Sequence, residues 1–323
     1  MPLLRFIPET TNVNFVKYRF VAFAIDGLLV LVSVISIAWH GFNLGIDFTG
    51  GVLMDVKSAQ VIDVGRMRRD IISLGFNDPV VQTVGGGVCN TPAGSCAIIR
   101  VQPRGGSPGV NPDVAEQASV RAIKAKLGAS YQYRRTEVVG PAVSNELLHD
   151  GIWATVLAVA MISIYVAVRF EWQYGVGALI ATGHDVFVTA GFFSVLQLDF
   201  NINTVASLLL LAGYSINDTV VVFDRLRENR RKYKRMLLPD MINLSTNQIA
   251  TRTTLVSAAT ALSVIPLLFG GPVLLNFSVA ILFGIVVGTF SSTYVAAALL
   301  LYLPAVGGRV DSKPDGKAEE APA

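Results

Sequence analysis

The chain has 323 residues, of which 52% are hydrophobic and only 15% charged, and its mean hydropathy is +0.53. Those proportions lie outside the usual range of soluble domains and call for a membrane protein. The formal net charge of +3 is mildly basic, and its distribution along the chain says more than its sum.

A helix that crosses a bilayer needs about 20 mostly apolar residues. After the N-terminal segment 1–17, the first such run covers 18–39 and contains one acid, Asp26. It is longer than the apolar core of a cleaved signal peptide, and no small-residue cleavage site follows it. It is therefore read as a retained anchor.

Residues 40–148 leave room for a folded domain of about 100 residues. "GVLMDVK" reads as a strand and "VIDVGRMRRDIISLG" as an amphipathic helix. "PVVQTVGG" and "CAIIRVQ" form an expected strand pair, followed by a helix near 112–128 and a strand in "YQYRRTEVV". The order βαββαβ is that of a ferredoxin-like α+β domain, a fold too common to indicate function. Its "GIDFTGG" resembles a phosphate loop but lacks the following Lys and the strand-to-helix setting. The only two cysteines, Cys89 and Cys96, close the turn "CNTPAGSC". An oxidising compartment would permit a disulfide there, and the alternative is a pair of unpaired small residues.

Five more spans fill 149–303: apolar runs at 151–168, 174–196, 202–223 and 276–303, and a run at 250–269 that is polar in its first turns. The expected fold is thus six transmembrane helices with an α+β domain between the first two. The tail 304–323 is polar, rich in Pro and Gly, and expected to be disordered.

Loop charges set the orientation. Arg5, Lys17 and Arg19 precede span one, Arg169 lies between spans two and three, and "RRKYKR" lies in the basic link between spans four and five. "QLDFNIN" and "GGPVLLN" carry no Lys or Arg. Both termini are then expected in the cytoplasm and 40–148 on the opposite side. Beside a span, the basic run reads as a topology signal rather than a nucleic-acid site.

Ionisable residues inside spans are costly, roughly 2.5–3.5 kcal/mol each on insertion scales, and mark protein interiors or water paths. Asp218 sits in "GYSINDTVVVFDRLREN", about six residues or ~9 Å from the basic boundary. In span five, Arg252, Thr253, Ser257, Thr260 and Ser263 share about 140° of arc. Spans four and five are antiparallel, so Asp218 and Arg252 lie in the same half of the membrane, and a salt bridge between them is allowed. A structural pair and a proton-sensitive pair both fit. His184 and Asp185 near the middle of span three are a possible proton relay, although the sequence shows no partner for them. Gly284, Gly288 and Ser292 form a small-xxx-small ladder for helix packing.

Several long motifs occur in one order: "FNLGIDFTGG", "VVGPAVSNELLHDG", "VRFEW", "HDVFVT", "SLLLLAGYSINDTVVVFDRLREN", "NQIATRTT" and "LFGGPVLLNFSVAILFGIVVGTFSSTYVA". With them the chain closely resembles the SecD/SecF family of the bacterial Sec preprotein translocase, from about residue 15 to 305. Its length matches the SecF branch rather than the longer SecD. The family is akin to the resistance-nodulation-division exporters, in which two similar six-span halves assemble, and no internal repeat is visible here. The resemblance implies an inner-membrane complex of SecF with SecD beside the SecYEG channel and YajC, acting on preproteins late in export and using the proton gradient. It implies no enzyme activity, cofactor, metal or nucleic acid. The acid of "GYSIND" and the arginine of "QxxxRT", implicated in proton passage, fall on Asp218 and Arg252. Asp26 matches no family motif. Half of a small-molecule exporter, a passive scaffold, and an intramembrane aspartyl protease using Asp185 and Asp218 are the rival readings.

Overall fold

The computed structural model describes residues 11–76, 78–85, 89, 94–102 and 112–303. The expected disordered tail, the first ten residues and the middle of the "CNTPAGSC" turn lie outside them.

Helix α1 (Arg19–His40) ends at Gly41 and leads through a two-residue strand β1 (Asn43–Leu44) and a single turn α2 (Ile46–Thr49) into the α+β domain. That domain comprises β2 (Gly51–Ser58), α3 (Val64–Ser73), β3 (Val80–Val84), β4 (Cys96–Val101), α4 (Pro112–Leu127) and β5 (Tyr131–Val139). The strand order β3-β4-β2-β5, antiparallel throughout, is the ferredoxin-like arrangement expected from the element order. Alternation along the strands turns Val52, Met54, Val56 and Ile99 toward Met67, Ile71 and Ile123 of the helices, and all seven are essentially buried. Asp63 caps α3 by accepting from the Arg66 amide at 3.0 Å, which holds its exposed carboxyl below the usual carboxylate range.

The paired glycines of "GIDFTGG" have a backbone reason. Gly51, at φ +123°, starts the central strand, and a Cβ there would run into the carbonyl oxygen of Val101 on β4. Gly50 sits at φ +71°, a region that side chains disfavour. Between β5 and β2 the register slips at Asp55/Val56, leaving Arg134 as the extra residue of a bulge.

The chain re-enters the bundle through α5 (Pro141–Arg169), followed by α6 (Trp172–Leu196), strand β6 (Asp199–Phe200), α7 (Ile202–Lys232) and α8 (Leu238–Val264). A 3-10 turn (Ile265–Phe269), α9 (Pro272–Phe290), a π-helical turn (Ser291–Ala296) and α10 (Ala297–Leu299) complete it. Among the described residues six helical stretches are long and apolar enough to cross a membrane. Two helices extend well past their apolar runs. α5 starts at Pro141, and α8 starts at Leu238, because proline is favoured in a first helical turn. In the added turns of α8, Ser245, Thr246 and Asn247 are buried.

Half of the most apolar window of α6 and of α7 is buried within the chain, against 22% for α1 and α5 and 17% for α8. The centre is therefore α6 and α7, with α9 against both. α7 is capped by Asn201, which accepts from the Thr204 amide at 3.1 Å while Thr204 Oγ1 accepts from the Asn201 amide at 3.4 Å. At the other end of the bundle Tyr174 meets Phe223 edge-on at 5.0 Å over a core that includes Val166, Leu226 and Ile242. Residues 11–16 are pinned to α8 there: Asn247 accepts from the Val13 amide at 2.8 Å and Asn243 from the Val16 amide at 2.9 Å.

Candidate functional site

Asp218 lies on α7 with 3% of its surface exposed. Its Oδ2 is buried without a hydrogen-bond partner, and among the described residues it forms no ion pair. Arg252 of α8 is near enough for its charge to act on Asp218 but is itself exposed. The allowed salt bridge is therefore not formed in this structure, although the Arg252 charge still acts on Asp218. One turn earlier on α7, the Tyr214 hydroxyl donates to Ser257 Oγ at 2.9 Å, and Ser257 is 2.8 Å from Thr289 Oγ1 of α9. The polar arc foreseen on span five is thus split: Thr253 and Ser257 are buried, while Arg252 and Ser263 are exposed.

His184 and Asp185 have partners after all. His184 Nδ1 is 3.1 Å from Asp185 Oδ1. Asp185 Oδ2 accepts from Ser215 of α7 at 2.5 Å and from Ser291 at 2.8 Å. The third neighbour is Asp26 of α1, whose Oδ1 lies 3.8 Å from His184 Nε2. None of these could be read from sequence, since the partners lie 30, 106 and 158 positions away. Asp185 is thus held by His184, Ser215 and Ser291, and no contact joins it to Asp218 among the described residues.

The π turn explains how two adjacent serines reach inward. A regular helix separates neighbours by about 100°, yet Ser291 and Ser292 are both fully buried. Ser292 Oγ is 2.9 Å from Thr219 Oγ1. The widened turn presents both, as π-bulges often do at functional positions. The small-residue ladder lies beside them: a Cβ on Gly284 would strike Leu211, and one on Gly288 would come within 3.3 Å of Asp185 Oδ2.

In the α+β domain Cys89 and Cys96 are disulfide-bonded, Cα atoms 5.3 Å apart, with Arg134 Nη1 3.0 Å from Cys89 Sγ. A cleft of about 530 Å³ separates this domain from the loops of the bundle. Across it Arg100 of β4 pairs with Asp199 at 2.8 Å.

Comparison with known proteins places these features. A model of the C-terminal region of protein export membrane proteins SecD/SecF matches residues 119–305, and a SecD/SecF GG motif matches residues 35–60. Protein translocase subunit SecF of Rhodobacter capsulatus is 39% identical over 305 residues, 93% of this chain and 91% of that protein. The subunit of the same name from Rickettsia akari is 37% identical over 302 residues, 92% of this chain and 94% of that one. The crystal structure of SecDF from Thermus thermophilus, described as a translocon-associated membrane protein, superposes with a TM-score of 0.79 at 32% identity. It covers 92% of this chain, which spans only 39% of that longer one.

Proposed function

This chain belongs to the SecD/SecF family of protein export membrane proteins, and from that premise we propose that it is the half of a two-part Sec translocase subunit that couples proton entry to late preprotein export. One observation carries the proposal: Asp218 is buried and unpaired in an apolar span, opposite an Arg252 that the chain leaves uncovered. A guanidinium in a span is costly against lipid unless it snorkels to the interface, and a second bundle over α8 would cover it. The 39% coverage of SecDF agrees with a SecD-like chain supplying it.

The chemistry follows from the pair. As a carboxylate Asp218 attracts Arg252, and once protonated it does not. A proton arriving from one side and leaving to the other would make and break that attraction. Moving one charge through 100 mV is worth ~2.3 kcal/mol, enough to shift a two-state packing of α7 against α8 by more than tenfold. α7 is capped by Asn201, two residues after the Asp199 that holds Arg100 of the α+β domain, so repacking of α7 has a route to that domain. The loop charges support a cytoplasmic position for both termini in the bacterial inner membrane, and the disulfide suits an α+β domain in the periplasm. SecYEG, YajC and the preprotein would be the neighbours of the assembled machine.

The test is preprotein translocation in membrane vesicles with and without an imposed proton gradient. Asp218→Asn should abolish stimulation by the gradient while ATP-driven export and assembly with the partner persist. Arg252→Lys keeps the charge but loses the planar fork and should be impaired. Arg252→Met should behave as Asp218→Asn. Full gradient response in Asp218→Asn would make the acid structural and leave the chain a scaffold of its partner.

A further inference from the structure

A second set of buried ionisable groups lies on the other side of α6, where α1 packs. The two helices run parallel, since the Gly41 carbonyl at the end of α1 accepts from Ser194 and Gln197 at the end of α6. Three contacts keep one register. Asp26 faces His184, Ser33 faces Gly191 and Ser36 Oγ is 2.9 Å from Ser194 Oγ, each pair 158 positions apart. The spacings of seven and three residues are those of a coiled-coil seam. Here the seam is made of small and polar residues, so the helices approach closely. At its level nearest the start of α1, this seam holds an acid against an imidazole.

The electrostatics of that level are closed. Asp26 is 5% exposed, and both of its carboxylate oxygens are buried without a hydrogen-bond partner, as is His184 Nε2. The charged or titratable groups that act on Asp26 are His184 and Asp185 of α6. α7 and the π turn contribute the hydroxyls of Ser215 and Ser291, which do not titrate. No Lys or Arg among the described residues forms an ion pair with Asp26, His184 or Asp185. Asp185 takes three donors: His184 Nδ1–H, Ser215 and Ser291. His184 then turns Nε2 toward Asp26 Oδ1, at 3.8 Å, too far for a direct hydrogen bond and close enough for an ion pair or a bridging water. Without a proton between them, two carboxylates would share a buried site with no cation at all. One proton on the His184 Nε2 lone pair, or on Asp26, halves that charge from two negatives to one.

We propose that Asp26 and His184 form a second proton-binding site, separate from Asp218, that takes one exchangeable proton between Asp26 Oδ1 and His184 Nε2 and clamps α1 to α6 when it is filled. The balance is simple: one proton is taken up from water on filling and returned on emptying, and no other bond changes. α1 runs directly into the α+β domain through β1 and α2. Occupancy of the site thus sets how firmly the stem of that domain is held. The site does not depend on the role of Asp218, because Asp218 is not among the groups acting on Asp26 or His184.

The experiment is nitrogen-15 NMR of histidine in the full chain in lipid nanodiscs, with His40 and His149 replaced by Gln so that His184 alone reports. In the otherwise unaltered chain the imidazole should titrate as a single site whose curve depends on Asp26. Asp26→Asn removes the facing carboxylate and should move the midpoint to lower pH by about one unit or more. Asp26→Glu restores the charge and should bring it back to within a few tenths of a unit. Asp218→Asn should leave the curve unmoved. A midpoint unchanged by Asp26→Asn would overturn the proposal, and so would one moved as far by Asp218→Asn as by Asp26→Asn. Should Asp26→Asn fail to insert or fold, Asp26→Ser serves as the neutral variant, with the same downward shift expected and an unmoved midpoint again overturning the proposal. Gradient-driven export is not read in this assay, so failure here leaves the Asp218 reading intact.

Discussion

At the scale of the residue, glycines and buried acids show how one atom decides a packing. Gly183 and Gly191 lie two turns apart on α6. A Cβ at Gly183 would meet nothing within 4 Å, whereas one at Gly191 would overlap both the side chain and the Cα of Ser33 on α1. Gly183→Ala should therefore be neutral or stabilising by up to about 1 kcal/mol, the helix-propensity difference between the two residues. Gly191→Ala must push α1 away and should destabilise by about 1–3 kcal/mol. Thermal unfolding of the two variants in one detergent checks this, and equal melting temperatures would show that the α1–α6 seam is slack. The sequence reveals that both are glycines in an apolar run. It does not reveal which one touches a neighbour, because Ser33 lies 158 positions away. The same distance hides Asp26 from His184, whereas Asp218 and Arg252 stand out because the intervening loop forces their helices into antiparallel contact.

At the scale of the element, the six apolar runs and the alternation of the four longer strands were legible, because each is set by local hydrophobic period. The two-residue pairing of β1 with β6 was not, since two residues carry no period. Nor was the π turn, whose cause is the set of partners for Ser291 and Ser292 rather than any local preference. The bulge between β2 and β5 is a further case, and it has an energetic consequence. It aims Arg134 so that Nη1 lies 3.8 Å from Asp55 Oδ2, yet Asp55 Oδ1 stays buried and unpartnered. Burial raises the Asp55 carboxyl above its ordinary 3.8, outweighing the lowering by Arg134 and Arg135. In the window above pH 3.8 the folded domain binds this proton more tightly than the unfolded chain does. Stability from this group is thus present below the unfolded value and is lost as pH rises through the folded one. Asp55→Asn should make the α+β domain less sensitive to that rise and at least as stable at pH 7. Urea-dependent proteolysis of the full chain at pH 5 and pH 7 measures both. A variant that lost more stability at pH 7 than at pH 5 would show that the ionised pair with Arg134 prevails instead.

At the scale of the whole molecule, the question is how an event in the bundle reaches the α+β domain, and the contacts converge on Asp199. Its carboxylate takes Arg100 of β4 at 2.8 Å and the Asn43 amide at 2.9 Å. Its carbonyl takes Asn276 of α9 at 3.1 Å and Thr204 of α7 at 3.3 Å. One residue in the link between α6 and α7 thus ties together the domain, the exit from α1 and two further helices. Nearby, the Ile202 amide at the start of α7 donates to Asp47 of "GIDFTGG" at 3.0 Å, which gives that segment a docking role. Arg100 is 10% exposed at its side chain and Asp199 23%, so the pair is partly screened and its contribution is that of a charged hydrogen bond, about 1–3 kcal/mol. Asp199→Asn and Arg100→Gln combined should cost less than the sum of the two single changes, because the second change removes a partner already lost. Global unfolding alone would not separate a hinge from a mere contact. Nitroxide labels on cysteines placed at Gln132 of β5 and Leu275 of α9 read the separation of domain and bundle directly. Breaking the pair should broaden or shift that distance distribution in either single variant, and the double variant should look no worse than the singles. A distribution unchanged in both single variants would mean that β1 with β6 and Asp47 hold the domain without Arg100, and that the route from α7 to the domain runs through the strand pairing instead.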